Sequence, residues 1–386
     1  RHAPVCQGHD IGFNRPYPWS YGAVFDELEP GVVEIRLLGD KEFLKTSQVG
    51  NDLIFRHHAR THPAFYVTYS KDIVLQDIVL YHCVGMAVIA QFSENLTMRR
   101  FDVRRHPEKK RIFTATADGF HLIYCRGKIQ IQDCLLENQL DDPLNVHGIY
   151  GRIHKIISER EVMVELVEGM QKGVPLGKKG EQFRIIDNET MLEIETVRLE
   201  EHQMLNGDYQ YMKFDRPVTE WKESFVVENT DYVPDVLVEG CTFQNNRARG
   251  LLLTSAGDVL VRKNVFKTAG SAILIEGDSN YWFESGATRH IVVEQNQFID
   301  CAYVPDWGNA SIQVSPSAKK YVQGQRYHKY LELRDNEFYF FDDRILWAQN
   351  IEEIHMSGNK IFQTDTFPPM EGERFYLDGV LKFEEK

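Results

Sequence analysis

The stretch VLVEGCTFQNNRARGLLLTSAGDVLVRKNVFKTAGSAILI, Val236 to Ile275, decides the fold. It holds two similar units, VLVEGCTFQNNRARGLLL and VLVRKNVFKTAGSAILI, and Val259 repeats Val236 after 23 residues. Each unit has a short alternating strand, a turn, a second apolar strand, and then small or polar residues. Self-similarity at a period of about 20–50 residues is the mark of a stacked solenoid. Strands this short, with no helical period between them, predict a β-solenoid.

The pattern extends both ways. Upstream it begins near Phe65, with IVLQDIVLYHCVGMAVIAQ (Ile73–Gln91), LTMRRFDVRRH (Leu96–His106) and KIQIQDCLLEN (Lys128–Asn138). Downstream come IVVEQNQFIDC (Ile291–Cys301), LELRDNEFYFF (Leu331–Phe341) and IHMSGNKIF (Ile354–Phe362). Within these runs an Asn recurs two places before an apolar residue: Asn264/Phe266, Asn296/Phe298, Asn336/Phe338 and Asn359/Ile361, with Cys241/Phe243 in the same place one unit earlier. Asn tolerates the left-handed conformation and bonds its own turn. The prediction is a column of Asn above Asn, with Phe above Phe inside. The longer spacings require loops such as SNYWFESGATRH and VPDWGNASIQVSPSAKK. Insertions grouped on one side of a solenoid build its binding surface.

Four regions follow. Residues 1–62 are irregular, with a Pro- and aromatic-rich loop (Arg15–Gly22) and strand-like alternation at Val32–Leu37 and Leu53–Phe55. Residues 63–150 are the first part of the solenoid. Residues 151–228 lose the repeat and read as alternating strands with polar turns, a small inserted β-barrel. Residues 229–386 resume the solenoid, and EGERFYLDGVLKFEEK is expected to cap the last coil.

Composition narrows the function. Of the 386 residues, 42% are hydrophobic and 26% charged, which suits a large core. Mean hydropathy is −0.39 and no apolar run approaches the length of a membrane span. The net charge of −13 repels phosphate backbones and argues against nucleic acid as a partner. The six cysteines form no CxxC pair, so a metal knuckle is not expected, and Cys83, Cys134, Cys241 and Cys301 read as small core residues. His57, His58 and His62 cluster without a carboxylate at ligand spacing, so a metal site is not expected there. The chain opens at Arg1 without an initiator Met, so the lack of a visible leader decides nothing.

Two polar constellations stand out. In Thr114–Gly148, Asp118 precedes the pair Asp141–Asp142 by about one solenoid period. Residues one period apart sit on neighbouring coils roughly 5 Å apart. Carboxylates so paired suit glycoside hydrolysis, in which one protonates the leaving oxygen and the other activates water. His121, Asn145 and His147 would add partners for sugar hydroxyls. The competing reading is that Asp118, before Gly119, and Asp142, before Pro143, merely form turns. In the second constellation, Arg247 and Arg249 alternate and are expected on one face. Glu276, Asp278 and Glu284 surround Trp282 there. An aromatic beside carboxylates and Arg can hold a sugar ring; alternatively Trp282 anchors a loop.

These motifs resemble glycoside hydrolase family 110, the α-1,3-galactosidases that remove terminal galactose, including from blood-group-B-type glycans. The matching segments are TADGFH (Thr116–His121), CRGKIQIQDCLLENQLDDPLNVHG (Cys125–Gly148), ENTDYVPDVLVEGCTFQNNRARG (Glu228–Gly250) and GDSNYWFESG (Gly277–Gly286). The resemblance runs from about Phe65 to Ile312. It implies an all-β fold, a right-handed parallel β-helix with a small inserted β-barrel-like domain. It also implies an exo-acting, inverting hydrolase without cofactor, with Asp118, Asp141 and Asp142 as the catalytic carboxylates. The partner is then a carbohydrate, a terminal α-galactoside of a glycan. The expected location is secreted, periplasmic or on the cell surface of a bacterium, and a homo-oligomer is compatible with side-by-side solenoids. Two other functions fit such a fold: a polysaccharide lyase, with Arg247 or Arg249 as base, and a non-catalytic glycan-binding solenoid. Inverting hydrolysis predicts that Asp118 and Asp141 or Asp142 flank an open cleft at about 6.5–9.5 Å.

Overall fold

The structure, a computed structural model, describes residues 22–38, 54 and 60–386. His57, His58, Cys6, Leu53 and Phe55 lie outside the described residues, as does nearly all of the Arg15–Gly22 loop. Gly22–Glu29 and Val32–Leu38 pair as an antiparallel ribbon.

From Phe65 onward the chain coils as a parallel β-helix with three sheets. Sheet A aligns Ile73, Leu96, Ile129, Val236, Val259, Ile291, Leu331, Ile354 and Phe383. Sheet B aligns Val103, Leu136, Phe243, Phe266, Phe298, Phe338 and Ile361. Sheet C aligns Phe65, Val88, Phe120, Leu144, Leu251, Ile273, Ile312, Leu346 and Phe375. The strands hold because each rung donates and accepts along its whole length, and the inward residues of each row meet only apolar rows above and below. The interior is one continuous core.

The Phe column forms as the spacing predicts. Phe243, Phe266, Phe298 and Phe338 stack with ring centroids 5.3, 5.1 and 4.8 Å apart. The Asn column also forms, by a different mechanism from the one expected. The left-handed residue is the one before each Asn: Lys263, Gln295, Asp335 and Gly358. The Asn side chains turn inward and bond between rungs. Asn296 Oδ1 accepts from the Asn264 amide at 2.9 Å and from Asn264 Nδ2 at 3.0 Å, while its own Nδ2 donates to Val261 O at 2.9 Å. Cys241 continues the column, its amide donating to Asn264 Oδ1 at 2.8 Å. The five described cysteines are buried and free.

Strand Leu144–Ile156 begins in sheet C and runs straight out of the helix. There it meets antiparallel strands Glu161–Glu165, Gln182–Ile186, Glu193–Met204, Tyr209–Phe214 and Val226–Asn229, which enclose their own core around Phe183, Phe214 and Met212. The excursion replaces the corner between sheets C and A. The C-terminal segment covers the end of the helix as a strand. Phe375–Glu385 is itself a rung, parallel to Leu346–Ser357 in both sheets, and its Phe375, Val380 and Phe383 pack on the core while staying partly exposed.

Candidate active site

Sheet register brings the carboxylates together. Phe120 pairs with Leu144 and Leu144 with Leu251. Counting back two places sets Asp118, Asp142 and Arg249 at equivalent positions of three successive rungs, in the corners between sheets B and C. Backbone bonds continue into those corners: the Gly119 amide donates to Asp142 O at 2.9 Å and Phe120 to Pro143 O at 2.8 Å. Gly119 is not the mark of a turn. A Cβ there would stand 2.4 Å from the Pro143 carbonyl oxygen, so the glycine lets the two rungs close. His121 and Asn145 are register partners on the outer row of sheet C, with Leu252 and Leu274 continuing that floor.

The expected open cleft at the carboxylates is not found. Asp118, Asp141 and Asp142 are 3, 8 and 2% exposed. Their partners, however, are ionisable side chains, two of them from other parts of the chain. Asp142 Oδ1 accepts from the Arg249 amide at 2.8 Å and Nε at 3.2 Å, and Oδ2 from Nη2 at 2.8 Å. Asp141 Oδ2 accepts from Arg60 Nη2, and Asp118 Oδ2 contacts His121 Nδ1. Asp278 supplies the contrast. Among the described residues its oxygens accept from the amides of Asn280, Tyr281 and Trp282, so it caps its own loop.

The environments split the carboxyls. Burial pushes Asp142 up to about 7 against the pull of Arg249, with Asp141 and Asp118 adding repulsion. Burial also works to raise Asp118, but His121, Arg60 and Arg249 outweigh it and hold it below the ordinary carboxylate value. Burial pushes Glu276 up to about 7 as well, against Arg249.

Arg247 and Arg249 do share a face: their guanidinium carbons lie 4.9 and 5.4 Å from the Trp307 ring centroid. Trp282 is 37% exposed beside Tyr281, and its carbonyl accepts from Gln171 Nε2 of the inserted module at 3.0 Å. Asn145 is buried on the floor and its Oδ1 has no hydrogen-bond partner among the described residues.

His121 Nε2 and His147 Nε2 are 2.9 Å apart, and His147 Nε2 lies 3.6 Å from Glu284 Oε1. All three ligand atoms fall within 4.8 Å of one another. Tetrahedral ligands about 2.0–2.1 Å from a cation stand about 3.3 Å apart. The two imidazole nitrogens are closer than that, at hydrogen-bond distance. Sequence reading overlooked Arg60, Trp307 and Gln171. Arg60 precedes the first rung, Gln171 lies in the insert, and Trp307 sits in a loop insertion, so no period marks them.

Comparison with known proteins shows what the chain is similar to. Residues 161–223 match the family profile described as GLAA-B beta-barrel domain II. The chain is 31% identical over 356 residues to α-1,3-galactosidase B of Bacteroides thetaiotaomicron, covering 91% of this chain and 57% of that protein. It is 31% identical over 361 residues to α-1,3-galactosidase A of Bacteroides fragilis (92% and 59%), and 31% over 347 residues to that of Shewanella woodyi (89% and 56%). The chain thus spans somewhat under three-fifths of the length of these relatives. The chain is thus similar to α-1,3-galactosidases over about nine-tenths of its own length.

Proposed function

We propose that this chain forms the hydrolytic centre of an exo-acting α-galactosidase that inverts the anomeric carbon. What supports the reading is one observation above the rest. Three carboxylates from two adjacent rungs face Arg60, Arg249 and His121, and two of those carboxylates are driven apart in acidity. Such a split is how one site runs acid and base chemistry together.

In this reading Asp118, kept ionised, takes a proton from water as the water oxygen bonds to C1. The C1–O bond breaks on the opposite face. Asp142 gives its proton to the leaving oxygen; its Oδ2, with a single Arg249 contact, is the oxygen to carry it. Asp141 and Arg60 set the local charge. Asn145 Oδ1 accepts from a sugar hydroxyl, and Trp307 and Trp282 supply ring faces. Loss of an α-1,3-linked terminal galactose from a trisaccharide is the expected activity, with β-galactose as the first product by NMR.

Leaving-group chemistry tests the roles. On a terminal α-1,3-galactoside, both Asp118→Asn and Asp142→Asn should lose at least about 10²-fold in kcat, the lower reach of acid–base catalysis. On 2,4-dinitrophenyl α-galactoside, which needs no proton, Asp142→Asn should recover and Asp118→Asn should not. Wild-type turnover by both variants, or α-galactose as the first product, overturns the proposal.

A further inference from the structure

The hydrogen bonds behind Asp118 form a line whose proton positions can be worked out from its far end. His147 Nδ1 lies 2.7 Å from Gly148 O. A carbonyl only accepts, so His147 Nδ1 carries a hydrogen. The other nitrogen of His147 faces His121 Nε2 at 2.9 Å. A hydrogen bond there needs one proton between the two nitrogens. When His147 is neutral its Nε2 accepts, and His121 Nε2 carries the proton. When His147 is the cation its Nε2 donates toward His121, with Glu284 Oε1 at 3.6 Å as counter-charge. Asp118 Oδ2 faces His121 Nδ1 at the other end.

We propose that His121 and His147 share one proton as a single buried cation between Asp118 and Glu284, and that His147 and Glu284 are positioning residues acting on Asp118 through His121. This rests on the reading of Asp118 as the base. Both arrangements of the shared proton leave Nδ1–H on His121, so Asp118 Oδ2 receives a hydrogen bond in either. The base oxygen facing the sugar is then Oδ1, and the partner that keeps the carboxyl ionised is built in. Other ionisable groups near the line are Arg60 and Arg249, which also favour ionised Asp118, and the carboxyls of Asp141 and Asp142. The directions of the two imidazoles agree. Burial works against both charges, yet Asp118 and Glu284 raise His121, while His147 stays lowered.

The experiment compares His147→Phe with His147→Gln. Phe fills the space and removes the acceptor; Gln offers an amide oxygen to His121 Nε2–H. In His147→Phe the acid limb of kcat/KM should move up by about one pH unit, the size of a lost hydrogen-bonded charge partner. His147→Gln should return that limb to the wild-type position, and Glu284→Gln should fall between. A purely structural role would lower activity evenly across pH, with Phe and Gln alike, and that result overturns the proposal. So does activity lost on EDTA dialysis and restored by zinc. Imidazole nitrogen NMR of the wild-type protein reads the line without turnover. His121 should keep Nδ1–H above the ordinary imidazole range, and a neutral His121 lacking it overturns the proposal even if hydrolysis is never observed. Absence of hydrolysis with the NMR signature intact counts against the proposed activity alone.

Discussion

Arg249 is the residue on which the candidate site turns. Its amide and guanidinium hold both oxygens of Asp142, and Trp307 backs the guanidinium. A lysine there offers a point charge without the planar fork. Arg249→Lys should keep the fold and lose about 10²-fold in kcat, the cost of a misplaced acid; the measurement is steady-state kinetics alongside a melting curve. Asp142 also ties stability to pH. Its carboxyl is raised in the fold, so its contribution favours folding below the unfolded value of about 3.9 and is lost as pH rises through about 7. Asp142→Asn lacks that loss. Relative to wild type it should gain stability between pH 5 and pH 8, read from urea midpoints; a constant difference at both values sinks the assignment. The carboxylates were legible in the sequence because a solenoid turns a period into a neighbour. Arg60, which bonds Asp141 from outside the repeat, was not.

Among the elements, the Asn column makes the sharpest case. Asn296 serves the Asn264 amide, Val261 O and Asn336 at once. Asn296→Leu leaves at least two buried backbone groups unpaired, each worth about 1–3 kcal/mol. A drop of about 2–5 kcal/mol in chemical denaturation is expected, and a change under the lower bound would mean that the column is ornamental. The spacing announced the column, because identical side chains must recur to meet. It did not announce the conformation. Lys263 and Gln295 take the left-handed turn with nothing in their side chains to favour it, whereas Asp335 tolerates it; the inward-facing Asn bonds on the next residue hold the bend. The register of the last strand is harder to read for a related reason. EGERFYLDGVLKFEEK lacks the Asn mark, so its membership in sheets A and C was hidden.

For the whole molecule, the three sheets, the core and the inserted antiparallel module were legible because each changes the period of the sequence. The closed state of the site was not, since burial of Asp118 and Asp142 depends on which corner loops lean inward. Charge supplies a test at this scale. The chain carries −13, and a neutral galactoside neither gains nor loses from that field. kcat/KM on such a substrate should stay within about twofold between low and high salt, whereas a uronate polymer, the ligand of a lyase, should bind better as salt rises.

The inserted module bears on how the helix assembles. Leu144 and Leu251 are stacked partners although 107 residues separate the corresponding side chains Asp142 and Arg249. The module's first and last strands are zipped together, Tyr150 against Glu228. Closing a long loop costs entropy that grows as the logarithm of its length. Once the module has formed, the two arms of the solenoid emerge side by side, and the effective separation shrinks to a few residues on each arm. Forming the barrel first therefore lowers the entropy cost of bringing the central coils into register.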